Sequence, residues 1–183
     1  MIKTELDILR DVSQRLEDGG IEFMLTGSMA MNFYAQPRMT RDLDLVVELA
    51  SEQTDLLIGL FESDYYVDRR AVATAIAQRS MFNLIHNETS IKLDCIVLKD
   101  HQYRQEEFAR RQKIKLTDFE TCIVTREDLI LSKLYWARNS RSELQFRDIK
   151  NLLSTQCDMS YLYNRAESLG VKSLLEEIVN AHE

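Results

Sequence analysis

Apolar residues recur at Ile2, Leu6, Ile8, Leu9, Val12 and Leu16. That is the three-to-four spacing of an amphipathic helix, and Gly19-Gly20 is its stop signal. The pattern then changes. "IEFMLTG" (21–27) reads as a short buried strand, and "SMAMNFYAQ" (28–36) as a helix halted before Pro37. "LDLVVEL" (43–49) predicts a strand. "SEQTDLLIGLFES" (51–63) predicts a helix with Ser51 as its N-cap, and "RRAVATAIAQRS" (69–80) another helix. "SMFNLIH" and "SIKLDCIVL", separated by "NET", predict a β-hairpin. "HQYRQEEFARRQ" is helical, and "KIKLTD" and "TCIVT" are short strands. From Arg126 onward strand patterning ceases. "REDLILSKLYWARN", "SELQFRDIKNLLST", "DMSYLYNRAESLG" and "VKSLLEEIVNAH" predict three or four helices, with Thr125 and Ser142 at helix starts. Tyr135, Trp136 and Phe146 read as core between them. The expected organisation is α+β: strands and helices mixed over residues 1–124, then an all-helical region over 125–183, with no internal repeat.

Composition narrows the class. The chain has 183 residues, 45% hydrophobic and 29% charged, with one Pro and five Gly, the profile of a globular protein without a long linker. No apolar run approaches the roughly 18 residues of a membrane span. The charged N-terminal stretch lacks a signal-peptide core, so a cytoplasmic, non-membrane protein is expected. Cys95, Cys122 and Cys157 are scattered and, with His86, His101 and His182, form no zinc spacing; they read as buried, reduced thiols. A net charge of −7 argues against coating nucleic acid through a broad basic surface. The basic run "FARRQKIK" (108–115) reads as a solvated helix end.

Against that background two acids stand out. Asp42 and Asp44 lie in "RDLDLVV", an otherwise apolar strand, and alternation points both to one face. Like charges side by side repel, and one would tend to take up a proton. A divalent cation resolves the conflict, and hard carboxylate oxygens suit Mg²⁺, which binds through one or two carboxylates and substrate phosphates. Asp94 is the lone acid in a second apolar strand, "SIKLDCIVL". If the two strands are neighbours, three carboxylates converge, enough for two metal ions, with Asp94 also the candidate base. Gly27-Ser28 sits at a strand-to-helix junction, where a close-approaching backbone, helix N–H groups and a hydroxyl receive phosphate oxygens. Lys92 shares a face with Asp94 and either balances the acids or touches phosphate; Arg41 binds phosphate or offsets Asp42.

Gly27-Ser28, Asp42-x-Asp44 and Asp94, in that order, resemble the nucleotidyltransferase superfamily of the polymerase-β type. "PRMTRDLDLVV", with Arg38, Thr40 and Arg41 ahead of the acids, more narrowly resembles the AbiEii-like toxin nucleotidyltransferases and their small stand-alone bacterial relatives. "TREDLILSKLYWARNSRSELQFRDIKNLL" is similar to their C-terminal signature, whose positions fall on Lys133, Arg147 and Asp148. The resemblance implies a mixed-sheet nucleotidyltransferase core with flanking helices and a C-terminal helical bundle. It implies a Mg²⁺-dependent enzyme moving a nucleoside monophosphate from an NTP to an acceptor hydroxyl. Asp42, Asp44 and Asp94 would be the metal ligands and, with Lys133, the catalytic set. Gly27, Ser28, Arg41, Lys92 and Asp148 would serve binding, Asp148 by aiming Lys133 at the triphosphate. The acceptor would be tRNA or protein in a toxin–antitoxin or phage-defence system with a cognate antitoxin. The alternatives are a small-molecule (antibiotic) acceptor, or a non-catalytic member that binds nucleotide or a partner.

Overall fold

Thr4 starts the first helix. Its hydroxyl accepts the Asp7 amide at 3.3 Å while the Asp7 carboxylate accepts the Thr4 amide at 2.8 Å, a capping box that sets the start of α1 (Glu5–Asp18). The computed structural model describes residues 4–181, so Ile2 and His182 lie outside it. The elements that follow are β1 (Phe23–Thr26), α2 (Gly27–Tyr34), β2 (Leu43–Val47), α3 (Thr54–Phe61), β3 (Tyr65–Val67) and α4 (Arg69–Gln78). Then come β4 (Met81–His86), β5 (Lys92–Val97), α5 (Gln102–Ala109), β6 (Gln112–Leu116) and β7 (Phe119–Ile123). Four helices complete the chain: α6 (Arg126–Ser140), α7 (Glu143–Leu153), α8 (Met159–Ser168) and α9 (Lys172–Asn180). The architecture is α+β, as expected. Ser51 is not an N-cap; it lies in a 3-10 turn that precedes α3, and the amide of Ala50 is satisfied by the Gln53 side chain at 3.0 Å. No helix among the described residues is long and apolar enough to cross a membrane.

By its contacts the chain divides into two units, Met1–Met29 with Met39–Val124, and Ala30–Arg38 with Thr125–Glu183. The first is built on one seven-stranded mixed sheet of order β3-β4-β5-β2-β1-β7-β6. β2 runs parallel to β5 and antiparallel to β1, and β4–β5 is the expected hairpin. Alternation leaves one face closed: Leu43, Leu45 and Val47 of β2, Leu93, Cys95 and Val97 of β5, and Phe82, Leu84 and His86 of β4 are all buried. Asp44, Lys92, Asp94 and Asn83 occupy the other, half-open face. α1, α3 and α4 pack on the sheet, burying Leu9, Leu57, Phe61 and Val72.

The edge strand β3 was not legible in the sequence. Three residues carry too short a pattern to register. What fixes it is Tyr65, 1% exposed, whose hydroxyl donates to Asp11 Oδ2 at 2.6 Å and whose ring meets Phe61 and His86 edge-on.

In the second unit α6 buries Leu129, Ile130, Leu131, Leu134 and Ala137. Thr125 caps it, and the hydroxyls of Thr125 and Tyr161 each donate to the buried Asp128 carboxylate at 2.7 Å. The segment after α2 is held by paired amide bonds. Asn32 exchanges two 2.9 Å hydrogen bonds with the Arg38 backbone, and Asn151 reads the Gln36 backbone in the same way. Trp136 departs from its expected core position: it is 69% exposed. The buried stripe of α6 runs through Lys133, Leu134 and Ala137, which turns position 136 away. Tyr135 and Phe146 are half-buried and covered by the guanidinium groups of Arg138 and Arg141, at 3.8 and 5.5 Å. The three cysteines are free, but only Cys95 is fully buried; Cys122 and Cys157 are partly exposed.

Asp148 on α7 is the electrostatic centre of this unit. It is 3% exposed, and accepts from Lys133 Nζ at 2.8 Å and from Arg38 Nε and Nη2 at 3.1 Å each. Burial alone would push its carboxyl up, but the bonds from Arg38 and Lys133 outweigh burial and hold it below the usual carboxylate value. Its contribution to stability is therefore complete above about pH 4, the unfolded value, and is lost as pH falls through the folded one. Asp148→Ala strands a buried ammonium and is expected to lower stability by about 3–5 kcal/mol. Guanidinium unfolding followed by circular dichroism should show that gap at pH 7 and its narrowing below about pH 4. An equal gap at pH 7 and pH 3 would contradict this account.

Candidate active site

The candidate site is assembled on the open face of the first unit's sheet. β2 and β5 are parallel neighbours in a register that pairs Asp44 with Asp94. The pairing follows from the closed face: Leu43–Leu93 and Leu45–Cys95 must both point inward, which sends the acids between them outward together. Asp42 is exposed, two positions before Asp44. On the other side of β2, Thr26 at the end of β1 is the register partner of Asp44, and Gly27 follows as the first residue of α2. Gly27 has φ +66°, and a Cβ placed there would collide with the Asp44 carboxylate. Glycine is required twice over, by its left-handed backbone and by the close approach of Asp44. Ser28 is the next residue of α2, so a hydroxyl and the helix's first N–H groups lie beside the acid strand.

Lys92 is the cation of this face. Its Nζ lies 3.0 Å from Asp94 Oδ1. The bond to Asp94 and the fields of Asp94, Asp42 and Asp44 raise its pKa against a smaller opposing effect of burial. All three carboxylates therefore act on one ammonium. Asp94 Oδ1 also accepts from Asn83 Nδ2, its antiparallel register partner on β4. Asn83 was missed by the sequence reading. The signal was available: an amide inside "MFNLIH", with the turn closing at the 3.0 Å bond from His86 N to Ile91 O, falls opposite Asp94. Cys95 offers no nucleophile here. It faces the closed side, and burial, then the charge of Asp94, pushes its thiol well above the usual range.

Arg41 is exposed on the segment leading into β2. Lys133 and Asp148 belong to the second unit, bound to each other and both buried. That unit holds a cavity of about 490 Å³ lined by, among others, Pro37, Arg38, Arg147, Asp148 and Lys150. Among the described residues no three His, Cys, Asp or Glu side chains are arranged to hold a metal ion. The donors themselves suit one: Asp42 and Asp44 present hard oxygens, and the missing Cβ of Gly27 makes room for the Asp44 carboxylate.

The fold is shared with known proteins. The fold matches the lincosamide antibiotic adenylyltransferase LnuA, solved with lincomycin bound, at TM-score 0.55 and 18% identity over 83% of this chain and 96% of that one. It matches an antigenic nucleotidyltransferase-like protein from Paracoccidioides brasiliensis at TM-score 0.57 and 18% identity, over 97% and 93%. The antibiotic-resistance factor ANT(2'')-Ia matches at TM-score 0.58 and 13% identity, over 97% and 94%. Identities this low speak for the fold alone. No curated protein matches the chain. The family model described as nucleotidyl transferase AbiEii toxin, type IV TA system, matches residues 10–150, and the chain, with its acid-bearing strands inside that span, belongs to this nucleotidyltransferase family.

Proposed function

We propose that the protein transfers a nucleoside monophosphate from an NTP to an acceptor hydroxyl in a Mg²⁺-dependent reaction. The observation that carries the reading is the register pairing of Asp44 with Asp94 beside Gly27. Asp42 and Asp44 would hold the metal, whose contribution when bound is to neutralise charge on the triphosphate. Ser28 and the first N–H groups of α2 receive β- and γ-phosphate oxygens. Asp94 is the base. Its Oδ1 is taken by Lys92 and Asn83, which leaves Oδ2 to accept the acceptor's proton. The acceptor oxygen bonds to the α-phosphorus, the bond from that phosphorus to the bridging oxygen breaks, and pyrophosphate leaves. The protein's work is positioning and charge stabilisation. Arg41, exposed on the segment leading into β2, is placed to meet phosphate from solvent.

The family's description, a toxin of a type IV TA system, supports a toxin role with a cognate antitoxin; the acceptor in this reading is tRNA or protein. The antibiotic adenylyltransferases of similar fold supply the competing acceptor class, a small molecule. Incubating the protein and Mg²⁺ with each of four labelled NTPs against total RNA, lysate protein and aminoglycoside or lincosamide drugs separates the classes. Label is expected in RNA or protein, and label confined to a drug moves the protein to the antibiotic-modifying class. Asp44→Ala is expected to lower transfer by at least about a hundredfold with the circular dichroism spectrum unchanged. Full turnover by that variant would refute the site. Gly27→Ala is expected to be nearly as inactive although it removes no functional group, because the new methyl displaces Asp44. Wild-type rates in Gly27→Ala would show that the close approach is unimportant.

A further inference from the structure

Asp44 and Asp94 on one face, with Asp42 just ahead of β2, suggest a two-metal site, yet the neighbours of Asp94 point to another arrangement. Asp94 is turned to its own sheet neighbours. Its Oδ1 takes Lys92 from two positions earlier on β5 and Asn83 from β4. An ammonium 3.0 Å from a carboxylate oxygen supplies there the positive charge a second ion would supply. The four charged groups sum to −2, from Asp42, Asp44, Asp94 and Lys92, which one divalent cation neutralises. Two such ions would leave the cluster at +2, the ammonium included.

We infer that this site takes a single divalent ion, through Asp42 and Asp44, and that Lys92 is a built-in replacement for the second ion at Asp94. The inference rests on the nucleotidyl-transfer reading and adds the number of ions and the role of Lys92. Lys92 is thereby a positioning residue: with Asn83 it holds Asp94 by Oδ1, which leaves Oδ2 for the reaction. A lysine differs from a metal ion in being covalently present whatever the metal concentration. One ion is then enough to complete the charge arrangement, and NTP can bring it as the metal complex. The side chain of Lys92 is 41% exposed, so its substitution leaves the sheet's closed face untouched.

The test counts ions rather than turnover. Mn²⁺ binding to the full chain, titrated by electron paramagnetic resonance with a non-hydrolysable NTP analogue present, is expected to give one ion per chain for the wild type and for Lys92→Arg. Lys92→Met and Lys92→Gln are expected to give two, because removing the ammonium leaves the Asp94 carboxylate with only the neutral Asn83 amide and its charge unbalanced. Asp94→Asn in the wild-type background is expected to keep the single ion. Two ions in the wild type, one in both neutral Lys92 variants, or loss of the ion in Asp94→Asn each overturns the inference while leaving nucleotidyl transfer standing. No ion in any protein overturns the metal-dependent reading itself, and the inference with it.

Discussion

Carboxylates on neighbouring strands must be supplied with positive charge or give up ionisation, and this constraint organises the structure. The sheet's closed face fixes the strand register, the register fixes Asp44 against Asp94, and the pairing concentrates negative charge beside the Gly27 turn. The hydrophobic core thus generates the electrostatic problem. Shifting either strand by one residue would send the acids inward and the leucines out, and no packed sheet would result. The site is in this sense a by-product of the register, which makes its geometry as rigid as the core beneath it.

The chain meets the same problem twice and answers it differently. Asp148 in the helical unit is buried and given two full cations, Arg38 and Lys133. It is saturated, and its energy goes into joining α6, α7 and the segment ending at Arg38. Asp44 and Asp94 on the sheet are only partly buried, and Asp94 is met by the Lys92 ammonium at 3.0 Å from its own strand. In the proposed reaction the open face is where an incoming cation would meet Asp42 and Asp44. A net charge of −7 disfavours adhesion to nucleic acid in general, so a nucleic-acid acceptor would have to be recognised locally.

Much of this was legible in the sequence for identifiable reasons. The strands around Asp44 and Asp94 carry five or six alternating positions each, and "NET" between two apolar runs reads as a hairpin, which the structure contains. Helix starts at Thr125 and Ser142 were readable because the capping residue acts through its own neighbours. What escaped was whatever depends on distant partners. β3 is three residues long and is held by Asp11 from α1. Trp136 has the composition of a core residue, and only the direction of the buried stripe on α6 shows that it faces outward. Asn83 is an ordinary amide until the hairpin register sets it on Asp94.

Asn83 and Lys92 also show why a motif of acids is an incomplete description of such a site. An acid motif states where negative charge stands but not which oxygen is available. Asp94 has two oxygens, and its neighbours occupy Oδ1. A carboxylate so held accepts a proton or a metal from one side only, which gives direction to a group that would otherwise rotate freely. Both holding residues are strand neighbours of Asp94, at fixed register on β4 and β5, so the orientation costs no separate ordering of a loop. The chemistry assigned to Asp94 therefore depends as much on an amide and an ammonium as on the acid itself.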